Sequence, residues 1–128
     1  MAIQRLDPHT MVKMPGLHQT VKVGNTVYIA GQVALDKTGV FHGDGDVEAQ
    51  LNQIYENLEN ACMAYGGTLS NMVKTTTYIT DPEYFPAVGK IRQARYGEDA
   101  PVNATLIVAG LAKREWLVEI EGTAWIGG

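Results

Sequence analysis

The last β-forming segment of the chain, residues 116–126, constrains the fold most because apolar residues lie on both of its faces. Side chains on a strand alternate between opposite sides. One side therefore carries the apolar residues Val118, Ile120, Ala124 and Ile126. The other side carries two carboxylates, Glu119 and Glu121, between Leu117 and Trp125. The first side needs a core to cover it. For the second side, the pattern of one strand does not show whether it faces solvent or protein.

The two carboxylates on the second side have two interpretations. In partly dry surroundings a carboxylate is costly to charge, so its pKa rises and it can act as an acid or base near neutral pH. The alternative is a solvated outer face on an edge strand. The pattern of one strand does not decide between them.

The rest of the chain predicts the element order β-β-α-β-α-β-β. Residues 21–23 and 26–34 favour strands, and Gly24-Asn25 between them is typical of a tight hairpin turn. A helical stripe of apolar positions runs from Val47 to Tyr65, with Asp44 or Asp46 as its cap and Gly66-Gly67 after it. Two helices of this kind can cover one face of a mixed sheet.

Three further segments complete that order. Residues 72–80 are rich in β-branched side chains and predict a strand. Asp81-Pro82 predicts the start of a second helix, which presents Phe85, Val88 and Ile91 and ends near Tyr96-Gly97. Residues 103–108 predict another strand.

That penultimate strand is also apolar on both sides, since Leu106 and Val108 alternate with Ile107. A single two-layer molecule would leave one of these faces in water. The sequence therefore predicts one α+β domain over residues 1–128 that buries its second face against other copies of the chain.

Composition excludes several classes of function. The net charge is −4 and no basic run exceeds Lys113-Arg114, so we expect no nucleic-acid partner. The polar start of the chain and the lack of a long apolar run predict no signal peptide and no membrane partner. The single cysteine, Cys62, lies on the apolar helical stripe, which favours a core residue in a reducing, cytoplasmic compartment.

Other reactive residues show no pattern typical of a site. His9, His18 and His42 lack partners at metal-ligand spacing, and we predict no metal site. The segment 42–46 resembles the start of a calcium loop without its downstream ligands. Gly31 interrupts a good strand, which indicates a bulge, a close approach of a ligand to the backbone, or simple packing.

Three stretches together resemble the YjgF/RidA family: residues 29–33 (IAGQV), 73–81 (VKTTTYITD) and 117–124 (LVEIEGTA). Pro15-Gly16 stands where that family has a glycine-proline pair. The resemblance spans about residues 12–126. It implies a chorismate-mutase-like fold with two helices on one face of a mixed sheet, and a homotrimer with inward-facing sheets and a small-molecule cleft between each pair of subunits. It also implies hydrolysis of reactive enamines and imines to a keto acid and ammonia, without a cofactor.

The resemblance also implies which residues form the site. The family's acidic residue, which orients water or moves a proton, falls on Glu119, and the strand glycine whose backbone holds the substrate falls on Gly31. Substrate-binding positions also fall on Leu17, where the family has tyrosine, and on Gly89, where it has asparagine. The arginine that binds the substrate carboxylate falls on Asn103, with Thr105 beside it.

The replacement of the family's arginine by Asn103 changes the binding free energy expected for a substrate carboxylate. A charge-assisted hydrogen bond is worth about 1.5–3 kcal/mol, against about 0.5–1.5 kcal/mol for a neutral one. A loss of about 2 kcal/mol weakens binding by more than about tenfold. We therefore expect poor turnover of small imino acids such as 2-iminopropionate, unless Arg92, Arg95 or Lys74 replaces the charge.

Three functions follow as hypotheses. The first is a metal-free hydrolytic deaminase acting on a non-standard enamine or imine, with Glu119 as proton shuttle. The second is a trimer that binds a metabolite without turning it over, which the changes at Leu17 and Asn103 motivate. The third and weakest is a ribonuclease or translation-associated factor, described for other members of the family.

Overall fold

The computed structural model describes residues 2–127, which form a six-stranded mixed sheet with two helices packed on one face. The strand order is β1-β2-β3-β6-β4-β5, in which only β4 and β5 run parallel. The elements are β1 (Ile3–Leu6), β2 (Thr20–Val23), β3 (Thr26–Gln32), α1 (Val47–Met63), β4 (Met72–Ile79), α2 (Phe85–Tyr96), β5 (Val102–Ile107) and β6 (Val118–Trp125). The predicted fold class is confirmed.

The structure differs from the sequence predictions in three respects: a missed strand, a later helix start and an exposed side chain. The first strand, β1, was not predicted, because its four residues are exposed or half-buried and carry no apolar alternation. Asp81-Pro82 begins a single 3₁₀ turn over Pro82–Tyr84, and the helix proper starts at Phe85. The prediction that Phe85 faces the core is wrong, because its side chain is 56% exposed at the helix start.

The helix α1 follows the predicted stripe. The Asp46 side chain accepts a hydrogen bond from the Ala49 amide at 3.1 Å and so caps the helix. The buried apolar residues of α1 pack on the sheet beneath β3 and β6: Leu51, Ile54, Leu58, Ala61 and Cys62. Burial raises the pKa of the Cys62 thiol to about 12, which agrees with a core residue rather than a nucleophile.

The other face of the sheet carries exposed apolar side chains. Tyr28, Leu106 and Trp125 are each roughly half exposed, on β3, β5 and β6. Strand β5 is also an edge strand, so its backbone groups are unpaired on one side. This face needs a partner if the apolar surface is to leave water. No helix in residues 2–127 is long and apolar enough to cross a membrane.

Candidate functional site

A cleft of about 240 Å³ opens where β3 ends and β6 begins. Most of its wall is apolar, and among residues 2–127 Glu119 is the one charged residue that lines it. The cleft also exposes the backbone around Gly31. The apolar wall consists of Val12, Met14, Leu17, Val33, Leu35 and Trp116. An apolar cleft with a single carboxylate is typical of a small-molecule site.

The β3 strand bulges where it borders this cleft. Its pairing with β6 is regular up to Ile29, shifts, and resumes at Gln32 opposite Ile120. The shift takes Gly31 out of the paired register, as the sequence indicated. A Cβ on Gly31 would overlap Glu119 Oε2, so the carboxylate lies directly over the glycine backbone. Only glycine lets these two groups approach so closely.

Glu119 is half-buried and its pKa is raised above the usual range of a glutamate. Burial is the larger cause, because it disfavours the charged carboxylate, and the negative charge of Glu121 is the smaller one. Glu119 is therefore suited to taking up and releasing a proton nearer neutral pH.

Glu121 lies on the same face of β6 but in different surroundings. It is exposed, and the Tyr78 hydroxyl donates a hydrogen bond to Glu121 Oε1 at 2.5 Å. This hydrogen bond raises the pKa of Tyr78, because the neutral phenol is the form that donates. The two carboxylates share a face, as predicted, yet only Glu119 lines the apolar cleft.

Buried amides hold the walls of the cleft in place. Gln50 on α1 accepts a hydrogen bond from the Leu117 amide at 3.0 Å and donates one to the Glu115 carbonyl at 3.1 Å. These bonds fix the backbone on both sides of Trp116. Asn57, two turns later on α1, donates to the carbonyls of Val33 and Leu35.

A second cluster forms around Asn103 on the edge strand β5. Its amide nitrogen faces the hydroxyls of Thr75 and Thr77 on β4 at 2.9 and 3.0 Å. The amide is oriented with its oxygen toward Arg92 Nη1, at 3.0 Å, because a guanidinium can only donate, and the same oxygen accepts from the Thr105 hydroxyl at 2.9 Å. The helix α2 thus places the Arg92 guanidinium beside Asn103, the residue on which the family's arginine falls.

The six residues implied by the resemblance therefore divide into two groups. Leu17, Gly31 and Glu119 line the cleft. Asn103 stands in register with buried Thr75 on the helix-covered face of the sheet, with Thr105 hydrogen-bonded to its amide. Gly89 lies on α2, one turn before Arg92.

The two groups face opposite sides of one sheet. Glu119 pairs in register with Tyr78, and the residues that flank Tyr78 on β4, Thr77 and Ile79, point to the buried side. One chain therefore does not bring Glu119 and Asn103 together.

Sequence reasoning missed several residues that shape the cleft: Trp116, Gln19, Gln32, Gln50 and Asn57. A signal for two of them was present, since Gln50 and Asn57 fall at helical spacing on the apolar stripe of α1. Polar side chains there need buried partners. Trp116 gave no such signal. Among residues 2–127, no group of three or more histidine, cysteine or acidic side chains is placed to hold a metal ion.

Comparisons with known proteins match nearly the whole chain. The family model described as endoribonuclease L-PSP matches residues 11–126. A RutC family protein of Pyrococcus horikoshii is 34% identical over 84% of each chain. The 2-iminobutanoate/2-iminopropanoate deaminase of Mus musculus is 35% identical over 83% of this chain and 78% of its own. The crystal structure of RidA from the Antarctic bacterium Psychrobacter sp. PAMC 21119 superimposes with a TM-score of 0.88 at 35% identity, covering 96% of this chain and 99% of that one.

Proposed function

Because this chain belongs to the endoribonuclease L-PSP family, the YjgF/RidA proteins, we propose that it is a hydrolytic deaminase of a non-standard enamine or imine metabolite. The observation that carries the proposal is Glu119, a carboxylate of raised pKa held over Gly31 in an apolar cleft. The name of the mouse relative, 2-iminobutanoate/2-iminopropanoate deaminase, supports the class of reaction.

The chemistry asks little of the protein beyond orientation and proton transfer. An enamine takes a proton from solvent on carbon and becomes an iminium ion, the same species that a protonated imine forms. Glu119 then removes a proton from water while the water oxygen bonds to the iminium carbon and the C=N π electrons move to nitrogen, which gives a neutral carbinolamine. The protonated Glu119 returns its proton to that nitrogen, the C–N bond breaks to release ammonia, and the hydroxyl oxygen forms the carbonyl as its proton passes to solvent. The products are a carbonyl compound and ammonia, and the carboxylate is regenerated.

The complete site forms between two copies of the chain in this proposal. The cleft with Glu119 and Gly31 supplies the reacting side. The Asn103 cluster of a neighbouring copy supplies the substrate-binding side, since it lies on the edge strand β5. The exposed apolar face of the sheet supports such an assembly, and the resemblance implies that it is a homotrimer.

The lining of the cleft supports a substrate larger than 2-iminopropionate. Leu17, Met14 and Trp116 offer apolar surface where a small imino acid has only a methyl group. Each additional buried Å² of apolar surface contributes about 25 cal/mol, so a branched or aromatic substituent gains affinity that a methyl group does not. We expect 2-iminopropionate to be a poor substrate compared with imines of larger apolar amino acids.

A pair of isosteric variants tests the role of Glu119. Imines are generated in the assay by an amino-acid oxidase, and accelerated ammonia release is followed. Glu119→Gln keeps the size of the side chain but removes proton exchange, so turnover should fall by about 10²-fold or more. The matched control, Glu121→Gln, should lose much less, because Glu121 lies outside the cleft.

Other outcomes would redirect the proposal. If Glu121→Gln loses turnover while Glu119→Gln stays active, the catalytic residue is Glu121. No turnover in the wild type or either variant, with a metabolite still bound, would favour the binding protein. RNA binding that weakens steeply with salt in a filter assay would favour the ribonuclease or translation factor instead.

A further inference from the structure

Arg92 occupies the space next to Asn103, where the family's carboxylate-binding arginine is expected. Its Nη1 donates to the Asn103 amide oxygen at 3.0 Å, and the Asn103 amide nitrogen is anchored on Thr75 and Thr77. The asparagine thus connects the strand with the guanidinium and holds it at the edge of β5. The positive charge beside this strand position comes from the helix α2.

In the part of the chain that the structure describes, residues 2–127, no ion pair joins Arg92 to a carboxylate. The ion pairs found there join other groups. The side chain is half-buried, and its charge acts on the phenols of Tyr55 and Tyr96, whose pKa values rise through burial while Arg92 opposes that rise. Among the described residues its guanidinium has one neutral hydrogen-bond partner, the Asn103 amide oxygen, so most of its N–H donors are available for an anion.

The other two candidate cations are placed differently. Arg95, one turn further along α2, donates to the Asn52 side chain on α1 at 3.1 Å and lies over the Tyr55 ring. Lys74 lines a separate hollow with Tyr28 and Glu121. Of the three basic residues, only Arg92 contacts the Asn103 cluster.

We infer that Arg92 binds the carboxylate of the substrate, and that Asn103 positions Arg92 for this role. The substrate class is then a 2-imino acid with a large apolar side chain. Its carboxylate binds Arg92 of one copy, and its side chain packs against Leu17 and Trp116 in the cleft of the next copy. The inference rests on the proposed function, because that proposal brings Arg92 of one copy next to the cleft of another.

A binding experiment tests the inference apart from catalysis. The probe is 4-methyl-2-oxopentanoate, the keto acid that such a reaction would release, and its uncharged amide serves as the reference ligand. Binding is measured by calorimetry on the assembled protein. The wild type should bind the acid at least about tenfold more tightly than the amide, because a charge-assisted pair is stronger than a neutral hydrogen bond.

The variants identify the cation. Arg92→Gln should weaken binding of the acid by about tenfold or more and abolish the preference over the amide. Arg92→Lys should retain part of that preference. The matched control, Arg95→Gln on the same helix, should bind like the wild type. Circular dichroism and sedimentation establish that each variant is folded and assembled.

Two results would overturn the inference: Arg92→Gln binding the acid as tightly as the wild type, or a wild type that does not distinguish acid from amide. The second result needs no variant. Binding that depends on Arg92, in a protein that turns over no imine, would refute the proposed function and leave Arg92 as an anion-binding residue. Turnover that requires Glu119, together with binding of the acid that does not depend on Arg92, would refute the inference and support the proposed function.

Discussion

Glu119 and Glu121 stand two residues apart on β6, yet their surroundings differ. Glu119 faces an apolar cleft without a counter-charge, and its pKa rises. Glu121 is exposed and accepts a hydrogen bond from Tyr78. The larger cause of the shift at Glu119 is its own burial, and the smaller cause is the charge of Glu121. The two causes can be separated by mutation.

The pH profile of turnover gives that separation. Glu119 must be ionised to take a proton from water, so kcat/KM should fall on the acid side with an apparent pKa above the usual value of about 4.3 for glutamate. Glu121→Gln removes the repulsion between the carboxylates, so the acid limb should shift to lower pH while activity at neutral pH is kept. An unshifted limb in Glu121→Gln would mean that burial alone raises the pKa.

At the scale of elements, the bulge in β3 is the feature that places the backbone against the carboxylate. The register between β3 and β6 shifts between Ile29 and Gln32, and Glu119 lies over the exposed glycine in that gap. The helix α1 supports the arrangement through Gln50 and Asn57, whose amides hold the chain on either side of the cleft. The cleft therefore has a rigid back wall.

Gly31→Ala tests this element. The added Cβ would meet the far end of the Glu119 side chain, which can swing away, so the protein should fold with little loss of thermal stability. Turnover should fall by about 10²-fold, because a displacement of about 1 Å misplaces the base. Gly110→Ala, whose Cβ would enter open space, is the control. Full activity in Gly31→Ala would show that the close approach has no catalytic role.

At the scale of the whole molecule, the uncovered sheet face is the feature that bears on assembly. Leu106 on β5 and Tyr28 on β3 expose apolar surface on the side opposite the helices. The edge strand β5 adds unpaired backbone groups. Burial of this face between copies would remove the apolar surface from water and pair the edge strand. It would also bring the Glu119 cleft of one copy near the Asn103 cluster of another, as proposed.

Sedimentation equilibrium tests the assembly. The wild type should be a trimer at micromolar concentration. Leu106→Asp places a charge on the face and should dissociate the trimer and abolish turnover together, because a buried unpaired charge is costly. Met63→Asp, at the exposed end of α1, should remain a trimer. A monomeric wild type that is fully active would contradict the shared site.

Local patterns in the sequence predicted most of the fold, and together with the resemblance they pointed to residues that line the candidate cleft. The alternation in residues 117–125 separated the buried side of β6 from the carboxylate side, and the stripe of α1 identified its core residues, because each pattern depends only on local geometry. Gly31 and Glu119 were both identified, the first by its break in a strand and the second by the resemblance. The strand β1 escaped prediction because pairing with β2, rather than its own composition, makes it a strand.

The tertiary structure alone decided which groups meet. Arg92 and Asn103 lie on a helix and a strand separated in sequence, and nothing in their local spacing predicts their hydrogen bond. The same holds for Gln50 and the loop around Trp116. Contacts between distant segments arise when α2 and α1 pack on the sheet, and packing depends on the whole core. The sequence by itself determined the class of fold and singled out Glu119, and only the tertiary structure placed Arg92 beside Asn103.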